Sequence, residues 1–249
     1  VKILAWALAL VPFASTAQDR TPLRVLYSND SGNMMSCAAP SFPKNEPFTI
    51  PRLEMAVDEA IGADAHMLQP GNGWVPWWRS QIYSPLEHYR WFKERTGLPI
   101  DSIGEFIYNG GEFLGSFIRH SQKRGIAPFV SIRMNDYHGI ESLDVLEQLV
   151  AEGPGSNLAQ KLGRANLAWQ SRMLLEHPEF RLQPDPAEYI QLSREEQLKY
   201  IGSMRRRITL RKARIWNWAV PEVPAYRLSL IRELCENYEF IGLELDFMR

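Results

Sequence analysis

The sequence predicts an α/β fold of the (β/α)8 TIM-barrel type, with about four βα units, its N-terminal half, present. Three observations predict it. Short apolar segments alternate with helical ones, a pattern typical of parallel βαβ units. Each predicted strand ends in a polar, glycine-containing loop, as on the active-site face of a barrel. The chain has 249 residues, 45% of them hydrophobic, which suits a globular protein with a substantial core.

Four short apolar segments have the character of strands, at residues 23–27, 63–68, 126–134 and 240–248. The spacing of apolar residues predicts helices at 52–61, 89–95, 112–124, 142–151, 193–207 and 221–237. Glycine and proline recur between residues 151 and 193, so we expect a loop-rich insertion there. An open, doubly wound sheet is the alternative architecture, although no G-x-G-x-x-G turn follows the first strand.

Four strands are too few to close a barrel, which needs eight. Half a barrel would leave two open sheet edges and apolar positions without partners. We therefore expect residues 18–249 to be the N-terminal part of a longer TIM-barrel domain. A complete four-stranded α/β domain is the alternative.

The first 17 residues have the pattern of a signal peptide, with Lys2 before an apolar stretch and small residues up to Ala17. The apolar stretch is about 12 residues long, whereas a spanning helix needs about 20. A short membrane anchor is the alternative. We expect a periplasmic or secreted protein with no stable membrane insertion after cleavage. The barrel would place Cys37 and Cys235 on opposite faces, too far apart for a disulfide.

The strongest chemical feature is a pair of carboxylates, Glu244 and Asp246, on the last predicted strand. Side chains alternate along a strand, so both face the barrel interior, where charges are costly unless paired or used. Asp246 lies nearer the carboxyl end and is the candidate nucleophile or transition-state stabiliser. Glu244 lies one layer deeper. We expect an Arg133–Glu244 ion pair to orient Asp246, with Asn135 nearby; a purely structural salt bridge is the alternative.

Glycoside hydrolysis usually needs two carboxyl groups that flank the scissile bond. Because Glu244 and Asp246 lie at different depths, we expect the second group to come from a loop or from outside the chain. The loop candidates are Asp136 and His138 after the third strand, and Asn29 and Asp30 after the first. Plain turn residues are the alternative interpretation of all four.

Three tryptophans, Trp74, Trp77 and Trp78, lie in the loop after the second strand. Loop aromatics at a barrel mouth suit stacking on sugar rings, and packing of the loop onto the barrel is the alternative. No metal-ligand spacing, serine nucleophile elbow or phosphate-binding loop occurs, so we expect no metal and no cofactor. The net charge of −1, from 28 basic and 29 acidic residues, gives no sign of a nucleic-acid partner.

The C-terminal segment 216–249 carries a recognisable combination of motifs. Residues 217–223 read Asn-Trp-Ala-Val-Pro-Glu-Val, Glu233 and Asn237-Tyr238 follow, and residues 242–246 read Gly-Leu-Glu-Leu-Asp. This combination resembles the bacterial glycosyl hydrolase-like 10 family, which is similar in turn to α-amylase-type barrels. Two positions depart. Ile241 stands where that family has Asp before the glycine, and Glu244 stands where α-amylases have Arg before the nucleophile.

The resemblance implies a (β/α)8 fold and glycoside hydrolase activity on a poly- or oligosaccharide. In that interpretation Arg133 and Asn135 orient Asp246, and the three tryptophans contact the sugar. A secreted carbohydrate-binding protein without catalytic activity is the alternative, because the fold alone does not separate the two functions.

Overall fold

A computed structural model describes residues 22–30, 34, 46–136, 143–162, 166–182 and 215–247. The predicted signal peptide, Cys37, His138 and the predicted helix at 193–207 lie outside these residues. Within the described ranges, no helix is both long and apolar enough to cross a membrane. Cys235 is exposed and its thiol is free.

The fold is a mixed α/β arrangement built on a four-stranded parallel sheet. Its strands, in spatial order, are β1 (Leu26–Asn29), β2 (Ala65–Leu68), β5 (Ala127–Arg133) and β6 (Gly242–Asp246). Spatial order thus follows chain order, as successive βαβ units require. A separate antiparallel hairpin, β3 (Gly71–Asn72) with β4 (Val75–Pro76), lies in the loop after β2. The predicted α/β class and its four parallel strands are confirmed.

Helices connect the strands, and several short ones lie in the long segment between β5 and β6. The described α-helices are α1 (Ile50–Asp58), α2 (Pro85–Thr96), α3 (Ser102–Tyr108), α4 (Phe113–Lys123), α5 (Leu143–Glu152), α6 (Asn157–Leu162), α7 (Met173–Glu176) and α8 (Glu222–Asn237). Short 3-10 turns occur at Asn166–Trp169 and Pro178–Phe180. The predicted loop-rich insertion therefore contains short helical pieces in its described part.

The two faces of the sheet differ in chemistry because side chains alternate along each strand. Leu68, Val130 and Leu243 are register neighbours on one face and pack into the main apolar core with the helices. The opposite face carries Ser131 and Arg133, which lie beside Glu244 and Asp246 of β6. The polar face is therefore built by β5 and β6 together, at their carboxyl ends.

Both outer strands present apolar side chains to solvent. Leu26 in β1 is 50% exposed, while Leu245 in β6 and the following Phe247 are 43% and 64% exposed. Within the described part of the chain, no strand pairs with the outer edge of β1 or β6. The exposed apolar residues are what a sheet with two uncovered edges would show.

Several boundaries differ from the predicted ones because side chains cap or bind the backbone there. β1 begins at Leu26 and not at residue 23, since the amides of Arg24 and Val25 donate to the Asp64 carboxylate. Helix α2 begins at Pro85, because Ser84 caps it and proline suits the first turn. The unpredicted α3 begins after Asp101, whose carboxylate accepts from two amides of its first turn.

Two histidines are buried in the core. His66 lies edge-on between the rings of Tyr27 and Phe117, at 5.1 and 5.0 Å between centroids. His88 accepts a hydrogen bond from the Tyr83 hydroxyl at Nδ1 and donates from Nε2 to a backbone carbonyl. Burial lowers the pKa of each histidine to about 4. Both imidazoles are therefore neutral in the folded protein at physiological pH.

We expect the free energy of unfolding to decrease as the pH falls from about 6.5 toward 4. The unfolded chain binds a proton at each histidine with an ordinary pKa near 6.5, whereas the folded chain binds it only near 4. Each histidine therefore contributes a slope of up to about 1.4 kcal/mol per pH unit, and its contribution is complete above pH 6.5. Urea titrations between pH 7 and 5 measure this slope.

The substitution His88→Gln should reduce the slope, because it removes one of the two buried imidazoles whose pKa differs between the folded and the unfolded chain. An unfolding free energy that stays constant between pH 7 and 5 in the unmodified protein would contradict the assignment.

Candidate functional site

Polar side chains on the open face of the sheet bind one another in two layers. In the deeper layer the Ser131 hydroxyl donates to the Glu244 carboxylate at 2.5 Å. In the outer layer Arg133 Nε lies 3.4 Å from Asp246 Oδ2. The predicted Arg133–Glu244 ion pair is wrong in its partner. The parallel register sets Ser131 beside Glu244 and Arg133 beside Asp246, so each side chain meets the residue of its own layer.

Arg133 also contacts a carboxylate at the end of the edge strand β1, on the other side of β2. Its Nη2 lies 2.7 Å from Oδ2 of Asp30, the residue that follows β1. The guanidinium is nearly buried, and the two carboxylates on it are 32% and 17% exposed for Asp30 and Asp246. Because one planar guanidinium contacts both, their nearest oxygens lie within about 8 Å of each other. A second carboxyl group is therefore present at the site.

Two predicted polar contacts are corrected by the structure. Asn29 is the register neighbour of Leu68, so it belongs to the helix-covered face and not to the face of Asp246. Alternation along the chain brings the next residue, Asp30, to the site instead. Asn135 accepts a hydrogen bond from the Trp218 indole at 2.8 Å, and this contact, not one to Asp246, orients its side chain.

The turn after β2 is bound to the end of β5 by a buried carboxylate. Asp136 is 4% exposed, and its Oδ2 accepts from the backbone N–H of Gly73 at 2.8 Å. The next residue, Trp74, has φ of 64°, a left-handed conformation that is costly for a non-glycine residue. The Asp136 contact therefore helps to hold a strained turn beside the site.

A buried arginine from α8 forms another wall. Arg227 donates from Nη2 to the backbone carbonyl of Arg133 at 2.6 Å, and its guanidinium lies 4.5 Å from the centre of the Trp74 ring. Burial lowers the pKa of Arg227 to about 10, while the neighbouring Asp136 and Tyr226 act in the opposite direction. At physiological pH Arg227 is therefore still a cation.

Trp74, Arg133, Asp136 and Arg227 line one cleft at the carboxyl ends of β2 and β5. Asp30 and Asp246 adjoin this cleft through Arg133 and are not among its lining residues. Its lining residues are Gln69, Pro70, Gly71, Trp74, Val75, Pro76, Trp78, Ser131, Ile132, Arg133, Asp136 and Arg227. Ligands of parallel α/β sheets bind outside the carboxyl ends of the strands. The cleft is therefore the candidate functional site, and Asp136, one of the loop candidates from the sequence, lines it.

The three loop tryptophans are buried, with exposed fractions of 2%, 1% and 4% for Trp74, Trp77 and Trp78. Trp77 packs edge-on against Phe113 at 5.2 Å and does not line the cleft. Trp74 and Trp78 do line it, but Trp74 is stacked between Trp216 and Arg227. Of the two alternatives that the sequence left open for these rings, packing of the loop accounts for their burial.

The motif residues of α8 anchor the same loop. Glu233 is 7% exposed; its carboxylate accepts from the Trp78 indole at 3.1 Å and from the backbone N–H of Ile82 at 3.2 Å. The Asn237 amide donates to the Glu233 carbonyl, and the Tyr238 hydroxyl accepts from the Arg79 amide. The described contacts of these residues therefore hold the loop, and Glu233 reaches the cleft through Trp78, one of its lining residues.

Gln69 and Arg227 were not singled out by sequence reasoning, although Arg227 carried a detectable signal. It lies at the i+4 position from Val223, followed by Leu230 and Leu234, all fully buried on the apolar face of α8. A charged residue on such a face indicates a buried polar contact. Gln69 carried no comparable signal, because glutamine after a strand is common in exposed turns.

No family model matches the chain, and no curated protein matches it. Among the described residues, no group of three or more His, Cys, Asp or Glu side chains is placed to hold a metal ion.

We expect Arg133→Met to lower the free energy of unfolding by roughly 2 to 4 kcal/mol, because it leaves two largely buried carboxylates without their shared cation. Urea unfolding of the purified chain measures the loss. Combining it with Asp246→Asn should recover part of the loss, since one uncompensated charge is then removed. The matched control is Arg232→Met, at an exposed arginine of α8, which should change stability by less than about 0.5 kcal/mol. Equal effects of the two methionine substitutions would contradict the role given to Arg133.

Proposed function

We propose that the chain is part of a glycoside hydrolase and that the cleft at the carboxyl edge of the sheet binds its sugar substrate. Asp246 is the nucleophile or transition-state stabiliser in this proposal. The observation that carries it is the placement of Asp246 beside Arg133, with a second carboxylate, Asp30, on the same guanidinium. Carboxylates about 5 to 10 Å apart are the groups that glycosidases place around a glycosidic bond.

The chemistry assigns different tasks to the groups of the site. The Asp246 carboxylate faces the positive charge that develops on the sugar ring as the glycosidic bond breaks. Arg133 fixes the orientation of Asp246 through Nε, and the Ser131–Glu244 pair supports the same strand from below. A carboxylate held in this way needs little rearrangement during the reaction, which is how preorganised sites lower a barrier.

We also propose the finer architecture, the N-terminal half of a (β/α)8 barrel. Strand order follows chain order, the site lies at the carboxyl ends of the strands, and both edge strands expose apolar side chains. The signal-peptide pattern at residues 1–17 supports an exported protein, either periplasmic or secreted. The resemblance of segment 216–249 to the glycosyl hydrolase-like 10 family supports the same class of substrate.

A carbohydrate-binding protein without catalytic activity is the second candidate, and one observation favours it. Hydrolysis needs one carboxylic acid that donates a proton to the leaving oxygen. Asp30 instead accepts a hydrogen bond from Arg133, and Asp246 lies 3.4 Å from Arg133 Nε. An arrangement of two fixed acceptors around one cation suits the binding of sugar hydroxyls.

Activity of the protein on a panel of oligosaccharides separates the two candidates. If it is a hydrolase, Asp246→Asn should reduce the rate of reducing-end release by about 100-fold or more, because the amide loses the negative charge that stabilises the transition state. The exposed Glu236→Gln serves as the matched control and should keep full activity. Sugar binding without hydrolysis, unchanged by Asp246→Asn, would instead support the binding protein. Hydrolysis that survives Asp246→Asn at the full rate would refute the role of Asp246.

A further inference from the structure

Three buried polar atoms that lack a hydrogen-bond partner among the described residues belong to side chains that line the cleft. They are Gln69 Oε1, Trp74 Nε1 and Arg227 Nε. The three side chains are 5%, 2% and 5% exposed. Ten such atoms occur among the described residues, and these three belong to side chains that line the same cleft, where one bound group would satisfy them together.

The orientation of each of these side chains is fixed by its other contacts. Gln69 donates from Nε2 to the Gly71 carbonyl at 2.8 Å, which leaves Oε1 as its acceptor. The Trp74 ring lies 4.0 Å from the Trp216 ring, nearly parallel to it, with the Arg227 guanidinium also against the Trp74 ring. Arg227 is tied to the end of β5 through Nη2. The free donors and the acceptor are therefore held in place before a ligand arrives.

We propose that these three residues form a subsite for a hydroxyl or hydroxymethyl group of the sugar, which we call the hydroxyl subsite. The proposal rests on the carbohydrate function proposed above and adds the part of the ligand that is recognised. A hydroxyl both donates and accepts, so it can serve Gln69 Oε1 and an N–H of Trp74 or Arg227. A carboxylate or phosphate has no proton for Gln69, and an ammonium group has no acceptor for the two N–H donors.

The neighbourhood of the hydroxyl subsite connects it to the proposed reaction. Arg133 lines the same cleft, and Arg227 donates to the Arg133 carbonyl. A sugar held by Gln69, Trp74 and Arg227 would therefore lie beside Arg133, whose Nε is 3.4 Å from the Asp246 carboxylate. The hydroxyl subsite acts as a specificity-determining part of the site. A ligand that lacks the matching hydroxyl leaves these buried polar groups without a hydrogen bond and therefore binds much more weakly.

Another tryptophan provides an internal comparison. The Trp216 indole Nε1 is also buried and without a partner among the described residues, but Trp216 does not line the cleft. Substitution of either tryptophan by phenylalanine removes one unpartnered N–H and keeps an aromatic ring. Only the substitution at Trp74 should affect a ligand in the cleft.

The test follows the indole N–H resonances of the 15N-labelled protein during titration with glucose, galactose, mannose and xylose. We expect at least one sugar to shift the Trp74 indole resonance, identified by its absence in Trp74→Phe. Trp74→Phe should weaken binding of that sugar about tenfold, the effect of losing one hydrogen bond to a hydroxyl. Trp216→Phe should change the affinity less than about twofold. Both substitutions should lower the urea midpoint of the free protein by similar amounts, because each puts a smaller ring at a buried position, so a loss of affinity confined to Trp74→Phe reports on the ligand and not on stability.

Deoxy analogues of the sugar that binds identify the recognised hydroxyl. The analogue that lacks the hydroxyl contacted by Trp74 should bind the unmodified protein and Trp74→Phe with equal affinity, because the sugar then has no group for the indole N–H to bind. If Trp74→Phe does not fold, Gln69→Leu takes its place, since it removes the acceptor and keeps a side chain of similar size.

Two outcomes would overturn the proposal. One rejects the hydroxyl subsite alone, and the other rejects the proposed carbohydrate function as well. Equal affinity of the unmodified protein and Trp74→Phe for a sugar that binds, and for all its deoxy analogues, would reject the hydroxyl subsite and leave the proposed function intact. No binding of any sugar in the panel would reject both.

Discussion

The arrangement of the site depends on one interaction, the contact of the Arg133 guanidinium with carboxylates from two other strands. Asp30 follows β1 and Asp246 ends β6, so Arg133 on β5 joins both edge strands across the open face of the sheet. Burial of two carboxylates is costly without a compensating cation. The same residue gives its backbone carbonyl to Arg227, so it also fixes the wall that α8 contributes. Charge compensation and the shape of the cleft therefore depend on one side chain and its backbone.

The loop after β2 supplies the rest of the cleft, and buried carboxylates hold it at both ends. Asp136 binds the strained turn at Gly73 and Trp74, while Glu233 of α8 binds Trp78 and the backbone beyond it. A long loop fastened in this way can present buried polar atoms in fixed directions. The tryptophans of the loop contribute packing, and one of them also contributes an unpartnered indole N–H to the cleft. In the proposed function, the same short segment therefore has both a structural and a binding role.

The strand pattern and the polar face of β6 could be predicted because apolar alternation is a local property of the sequence. The layer contacts could not, since the Arg133–Asp246 and Ser131–Glu244 pairs depend on the register between β5 and β6, which residues on one strand do not encode. Asp30 was one of the loop candidates for the second carboxyl group, but its contact with Arg133 across β2 could not be predicted for the same reason. The burial of Trp77 depends on packing against α4, and the sequence alone left sugar stacking and packing of the loop as alternatives.

A crystal structure of the protein with a bound oligosaccharide tests the central claim most directly, that the carboxyl edge of the sheet is a carbohydrate site centred on Arg133 and Asp246. The account predicts a sugar ring in the cleft, with one hydroxyl within about 3 Å of Gln69 Oε1 or Trp74 Nε1 and the ring against Asp246. A sugar bound elsewhere, with the cleft filled only by water, would contradict it.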